Sequence, residues 1–216
     1  MQKISSLSVG NSEFSIIANV LEIKDNGKIL KAKICDDSAI VYLLALDKEK
    51  EKANFKLNDT IKITNGLITD YPPSIIVTKD TEIEILKEKI KECEKVKFID
   101  EIPNYGYCYV DAFIVRIFDI YKFYCKRCKR YSTKICSCGN ISDKILIISG
   151  MISDSTKTIS FETENEEISK KMLNVQKLTK ISEEQKREII KNLFKRKYKF
   201  FGYLHNDKFF ISNFEI

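Results

Sequence analysis

The residues best equipped for chemistry are four cysteines in one short stretch, Cys125-x-x-Cys128, a seven-residue gap, then Cys136-x-Cys138-Gly139. Two close cysteine pairs on two turns bring four thiolates to the corners of a tetrahedron, the geometry zinc prefers. Gly139 supplies the positive φ that lets backbone amides approach a metal-bound sulfur. The only histidine is the distant His205. The shell is therefore all sulfur with no open position for water, and a closed site of this kind is structural. The second pair is one residue tighter than the usual knuckle. Disulfides, or reduced cysteines in a basic hairpin, are the other two readings. Cys35, Cys93 and Cys108 are isolated and no secretory signal opens the chain, which does not suggest a paired oxidised framework. The expectation is one structural Zn2+ held by Cys125, Cys128, Cys136 and Cys138 in a ribbon over residues 121–140.

Catalytic constellations are missing from the sequence. There is no Walker loop, G-x-S-x-G or H-E-x-x-H, and one histidine with seven glycines leaves little from which to build acid–base pairs or phosphate cradles. A nuclease or ligase lacks a candidate residue, so the chain reads as a binding protein and not an enzyme. Its formal charge is +6 and its pI about 8.8, which allows a polyanion partner without demanding one. The cations are almost all lysine, the arginines being Arg116, Arg127, Arg130, Arg187 and Arg196. Arginine reads guanine edges whereas lysine is a point charge for phosphate, which disfavours sequence-specific duplex recognition.

The ribbon is where charge and aromatics coincide. Lys122, Lys126, Arg127, Lys129, Arg130 and Lys134 are uninterrupted by acid, with Tyr121, Phe123, Tyr124 and Tyr131 interleaved, as suits a surface that tracks phosphates and stacks bases. Four thiolates and one zinc ion total about −2, so part of this charge offsets the metal centre. Nucleic-acid contact is the favoured reading over charge compensation alone.

The elements that must position these groups are mostly strands. Apolar content of 44 % and charged content of 31 % suit a globular chain long enough, at 216 residues, for one large domain or two ordinary ones. Apolar runs such as Ile145–Ile148 are too short to span a bilayer, so no membrane is expected and the placement reads as cytoplasmic, near the nucleoid, or nuclear in a eukaryote. Strand-like runs cover 13–23, 28–35 and 39–46, a short polar helical piece covers 47–54, and two further runs cover 59–69 and 75–85. Strands with a helix between the third and fourth are the order of an OB-fold barrel. Residues 87–101 read as a linker helix or connector. The strand signal then repeats over 107–120, 144–152 and 157–162, followed by a helix capped by Ser182 and running to about Lys195, and by strands over 198–204 and 208–214. Ile189, Ile190, Leu193 and Phe194 at helical spacing form a stripe that reads as barrel core. The fold class is therefore mainly β, with two OB-fold barrels at 1–86 and 102–216, the second carrying the zinc ribbon.

In its segment order the chain resembles the replication protein A family of single-stranded DNA-binding proteins, particularly archaeal members. The resemblance rests on K-I-S-S-L-S-V-G, V-L-E-I-K, K-I-C-D-D-S-A-I-V-Y and L-N-D-T-I-K-I-T-N-G in order, and on a cysteine insertion where that family has its ribbon. The family's acidic turn is similar to Asp36-Asp37-Ser38-Ala39 and again to Asp154-Ser155-Thr156-Lys157, though neither keeps the glycine. The resemblance implies binding of single-stranded DNA with little sequence preference, in replication and repair, by stacking bases on outward aromatics. It puts Tyr42, Leu44 and Leu46 on the binding face, with Val41, Leu43 and Ala45 on the other, and Leu46 stands where the family commonly has an aromatic. It also implies contacts from Tyr71, which is equally an ordinary Tyr-Pro turn, and from Phe209, although one of the adjacent Phe209 and Phe210 must face the core and aromatics near a turn are more often packing than platform. The contact set is thus Tyr42, Tyr71, Lys122, Tyr124, Lys126, Arg127, Lys129, Arg130, Tyr131 and Phe209. In the second barrel Ser160, Glu162 and Glu164 would lie on that face, where carboxylates repel phosphate. Two alternatives stand: a protein-interaction subunit that recruits other subunits of a single-strand-binding complex, and an RNA-binding barrel with a ribbon.

Overall fold

Alternation of apolar and polar residues is what this chain turns into structure. The computed structural model describes residues 1–88, 93, 95–175 and 183–216. The chain divides into two compact units: Met1–Lys97 with Glu101–Tyr109 and Tyr203–His205, and Phe98–Asp100 with Val110–Gly202 and Asn206–Ile216.

The first unit contains β1 (Ser15–Asp25), β2 (Ile29–Cys35), β3 (Ile40–Leu46), a 3-10 helix (Asp47–Lys52), β4 (Thr60–Thr64), β5 (Leu67–Asp70), β6 (Pro73–Ile76), β7 (Glu82–Leu86) and β8 (Val96–Lys97). β1 lies between β2 and β4, both antiparallel to it; β2 pairs with β3, and β3 runs parallel to β6, which pairs with β5. β4 and β5 are one path interrupted at Asn65-Gly66, where φ is 61° and 148°. Counting them as the fourth strand and β6 with β7 as the fifth, the circuit is 1-2-3-5-4-1, the order of an OB-fold. The sequence suggests unbroken fourth and fifth strands. The fifth breaks because Thr81 Oγ1 accepts from the Thr78 amide and the Thr81 amide donates back to the Thr78 carbonyl, closing a turn. Ile16, Ala18, Val20, Ile34, Val41, Leu43, Ile61 and Ile63 are fully buried, each on the inward phase of its strand.

The second unit is built from most of β9 (Tyr107–Cys125), β10 (Arg130–Ser132), β11 (Asp143–Ser153), β12 (Thr158–Thr163), α1 (Glu166–Leu173), α2 (Glu183–Leu193), most of β13 (Lys197–His205) and β14 (Lys208–Glu215). β9 pairs with β11, β11 with β12, β12 runs parallel to β14, and β13 lies between β14 and β9. This is the same circuit, with the helices again between the third and fourth positions. Val110, Ile114, Ile148, Phe161, Phe200, Phe209 and Ile211 form its interior. β9 and β11 approach so closely at a bulge that a Cβ on Gly150 would lie 2.1 Å from the Arg116 carbonyl oxygen, which is why glycine stands there.

Both units are closed by the same device. In the first, buried Asp36 accepts from the Ser38 and Ala39 amides and the Ser38 hydroxyl through Oδ1, and from the Ile4 amide through Oδ2 at 2.8 Å. In the second, Asp154 accepts from the Thr156 and Lys157 amides and the Thr156 hydroxyl through Oδ1, and from the Ile99 amide through Oδ2 at 2.7 Å. Ile4 and Ile99 each begin a 3-10 turn, Ile4–Ser6 and Ile99–Glu101. The acidic turns that the sequence shows are therefore clamps tying the lead-in segment to the hairpin between the second and third barrel strands.

Three local readings change. α1 was not expected; it forms because the Asn165 side chain accepts from the Glu167 and Ile168 amides at its start and Asn174 takes a left-handed φ of 53° at its end. Of the α2 stripe, Leu193 is buried, Ile189 and Ile190 are half-buried and Phe194 is exposed. Cys35 and Cys93 are not isolated: they form a disulfide across 58 positions, with Cα atoms 5.6 Å apart. That pairing is made by the fold, since Cys35 closes β2 and Cys93 lies beyond β7. Ser182 and linker residues 89–92 and 94 lie outside the described residues; the described part of the linker holds β8 and the 3-10 turn Ile99–Glu101. Among the described residues no helix is long and apolar enough to cross a membrane.

Candidate metal centre and nucleic-acid interface

The ribbon grows from the far end of β9. Cys125 is its last residue, β10 returns beside it with Tyr131 opposite Tyr124, and β11 takes over the pairing with Asp143 opposite Tyr124. Each cysteine pair ends on a left-handed residue: Lys129 with φ 51° follows Cys128, and Gly139 with φ 83° follows Cys138. The Gly139 amide donates to the Cys136 carbonyl at 2.8 Å, closing the second turn. All four sulfurs lie within 4.8 Å of one another, with Cys125–Cys138 at 3.6 Å and Cys128–Cys136 at 3.8 Å. Zinc–sulfur bonds of about 2.3 Å at tetrahedral angles place sulfurs about 3.8 Å apart, so the four side chains are set as one tetrahedral ion requires.

The chemistry of the donors agrees. The Cys138 amide, hydrogen-bonded to Cys136, pulls that thiol down to about 6 against the cost of burial, and neighbouring sulfurs assist. Cys128 is pushed up to about 12, chiefly by hydrogen bonding with the Cys138 and Cys136 sulfurs. A divalent ion needs thiolates, and a thiol held low, as Cys136 is, supplies one readily. Cys125 and Cys136 are buried and the other two half-buried, and among the described residues no histidine or carboxylate joins the set. Cys108 is of another kind: burial pushes it up to about 12, and it is a core residue.

The expected contact residues divide into three groups. Arg127 and Lys129 are exposed on the ribbon, as is Lys134, and none of the three has an ion-pair partner among the described residues. Lys126 pairs with Asp143 at 3.1 Å but stays exposed, and Arg130 donates to the Ser137 hydroxyl at 2.7 Å. Tyr124 and Tyr131 meet edge to face at 5.9 Å, with Tyr131 the more exposed. Lys122 does not join this ribbon group: it points to Glu162 on β12, 2.6 Å away, with its ammonium 5.0 Å from the Tyr131 ring centre. On the other face of β9, Lys144 lies 4.3 Å from the centre of the Tyr121 ring, beside Phe123.

In the first unit, Tyr42 is on the outward face of β3, with Val41, Leu43 and Ala45 fully buried on the other side. Sequence reasoning missed its surroundings. Lys31 and Lys33 stand on the same face of β2, opposite Leu44 and Tyr42. The Lys31 ammonium lies 3.6 Å over the Tyr42 ring, while Lys33 donates to the Tyr109 hydroxyl at 3.1 Å. The polar phase of β2 was the available signal, since Lys31 and Lys33 alternate with buried Ala32 and Ile34. Tyr71 caps the β5–β6 hairpin, 53 % exposed, with its ring tilted over His205 at 4.9 Å and Asp70 3.2 Å from His205 Nδ1. Phe209 is a correction. It is fully buried, packed where a Cβ on Gly202 would meet its ring at 2.8 Å, and is no base platform. Alternation puts Phe209 and Phe210 on opposite faces of β14, and both are buried, at 0 % and 8 % exposure.

No family model matches the chain, and no curated protein sequence matches it. Solved structures with a related arrangement include a replication protein A heterotrimer bound to single-stranded DNA, at 13 % identity over 98 % of this chain and 67 % of that one, with a TM-score of 0.41. A murine DNA-binding protein bound to double-stranded DNA shows 12 % identity over 94 % of this chain and 97 % of the other, with a TM-score of 0.45. An OB domain from Thermoplasma acidophilum aligns with 42 % of this chain and 91 % of its own length, at 20 % identity and a TM-score of 0.34.

Proposed function

We propose that this chain binds single-stranded DNA with little sequence preference, in replication, repair or recombination, and that it is a binding protein without catalysis of its own. The observation that carries the reading is the repeated placement of lysine beside tyrosine on the outward strands: Lys31 on Tyr42 and Lys33 on Tyr109 in one unit, Lys122 near Tyr131 in the other. Such pairs offer a phosphate contact and a stacking surface within one nucleotide's reach, and neither depends on base identity. The sequence resemblance to replication protein A points the same way. The four-cysteine centre would hold one Zn2+, whose role is to fix the ribbon and carry its basic rim.

A second reading, a protein-interaction subunit of a single-strand-binding complex, is favoured by Phe113, Val115 and Phe118, each about half exposed along β9. Fluorescence anisotropy with labelled oligo-dT, oligo-U and a duplex at two salt concentrations separates these. Submicromolar oligo-dT binding, tighter than the duplex and weakening with salt by a log–log slope of about −0.7 per neutralised phosphate, supports single-stranded DNA. Preference for oligo-U moves the assignment to RNA, and no binding below micromolar levels moves it to the interaction subunit.

A further inference from the structure

Glu162 is the last residue but one of β12, directly after core Phe161, and the outward phase it occupies is the one that should face a ligand. A bare carboxylate there would repel phosphate. Yet its side chain is only 5 % exposed, with Oε1 accepting from Lys122 at 2.6 Å and Oε2 from Lys208 at 3.1 Å. The two lysines come from β9 and β14 and keep 32 % and 38 % of their side chains open to solvent. One lysine would neutralise the glutamate; two leave a net charge of +1. Each ammonium has three donors and spends one on Glu162, so the remaining donors are available to a ligand. What meets solvent is cationic, and the anion lies beneath.

We infer that Glu162, Lys122 and Lys208 form a phosphodiester-binding site on the second unit, with Glu162 as a positioning residue that holds both ammonium groups for the backbone of a single strand. Tyr131, its ring centre 5.0 Å from the Lys122 ammonium, is the neighbouring surface for a base. The inference rests on the single-strand reading above and gives the second unit a contact of its own beyond the ribbon rim. Lysine side chains ordinarily lose much rotamer freedom on meeting a ligand. Here that loss is met on folding, because a buried carboxylate must keep its partners.

The test is oligo-dT anisotropy over a salt series with the full chain, its Lys208→Ala, Lys122→Ala and Glu162→Gln variants, and the Glu162→Gln/Lys208→Ala double variant, each checked for an unchanged melting profile. Lys208→Ala and Lys122→Ala are each expected to weaken binding about threefold to tenfold and to lower the salt slope by about 0.7, the loss of one phosphate contact. Glu162→Gln removes a negative charge and is still expected to weaken binding severalfold, and in its background Lys208→Ala should matter less. Tighter binding by a folded Glu162→Gln protein, or a salt slope unmoved by both lysine variants, overturns the inference and leaves the single-strand reading standing. If Glu162→Gln does not fold, the two lysine variants decide through their slopes. An unchanged protein that binds no oligonucleotide overturns the reading, and the inference with it.

Discussion

In the first unit Lys31 rests on the Tyr42 ring and Lys33 on Tyr109, whereas in the second Lys122 and Lys208 are both drawn onto Glu162. The frame around these lysines is common to both units: the same strand circuit, and the same aspartate receiving four donors at the start of the third barrel strand. What differs is how the cations are held. A lysine over an aromatic ring is held by about 0.5–1 kcal/mol at an exposed site, so it can be displaced at little cost. A lysine on a buried carboxylate is held more firmly, because its departure strands a charge in a dry site. The first face is adaptable and the second pre-set. The second unit also carries the ribbon, an appendage built on four clustered cysteines.

The largest effect should come from that cluster, since among the described residues the first unit is cross-linked by the Cys35–Cys93 disulfide and has no group of metal-ligating side chains to match it. Cys125→Ser removes one of four ligands and is expected to take bound metal from one ion per chain to none by atomic emission. Hydrogen exchange should lose protection over 121–144 while the first unit stays as it was. Retention of a full equivalent of zinc would break the contrast between the units.

The shared clamp is tested next. Asp36→Ala leaves the Ile4, Ser38 and Ala39 amides without their acceptor in a site only 3 % exposed, and should cost the first unit about 3 kcal/mol. The equivalent Asp154→Ala change should cost about half as much, because Asp154 is only half-buried and water can replace it. Denaturant titration with a probe in each unit measures both. Equal losses would mean that exposure does not set the worth of the clamp.

Much of this was legible in the sequence, and the failures share a cause. Strand phase identified the buried Val41, Leu43 and Ala45, and cysteine spacing identified the four-sulfur cluster, because both signals are local. The Cys35–Cys93 bond spans 58 residues and has no local signature. Glu162 looks like a repulsive surface carboxylate until Lys122 and Lys208, 40 residues before it and 46 after it, arrive from other strands. Phe209 was misplaced because the choice between two adjacent phenylalanines depends on strand register, which a turn can shift by one residue and so exchange every face. Two clamps 118 positions apart could be matched as motifs, but their hydrogen bonds to Ile4 and Ile99 became visible only in the fold.

The finest test of the second unit's clamp is in acid. Burial alone would raise the Asp154 carboxyl, but hydrogen bonds from the Ile99 amide, the Thr156 hydroxyl and the Lys157 and Thr156 amides outweigh it and hold the group below the usual carboxylate range. These donors favour the charged form, so folding and ionisation assist each other. In the unfolded chain the group titrates near 3.9. The stabilisation is therefore complete above that value and is lost as pH falls through the lowered folded one. Asp154→Asn keeps one oxygen acceptor and cannot ionise. The stability gap between the unchanged protein and Asp154→Asn, read in the second unit by denaturant titration, should stay constant from about pH 7 to 5 and close below about pH 4. A gap that persists to pH 2 would show that the clamp works through the shape of its hydrogen bonds and not through its charge.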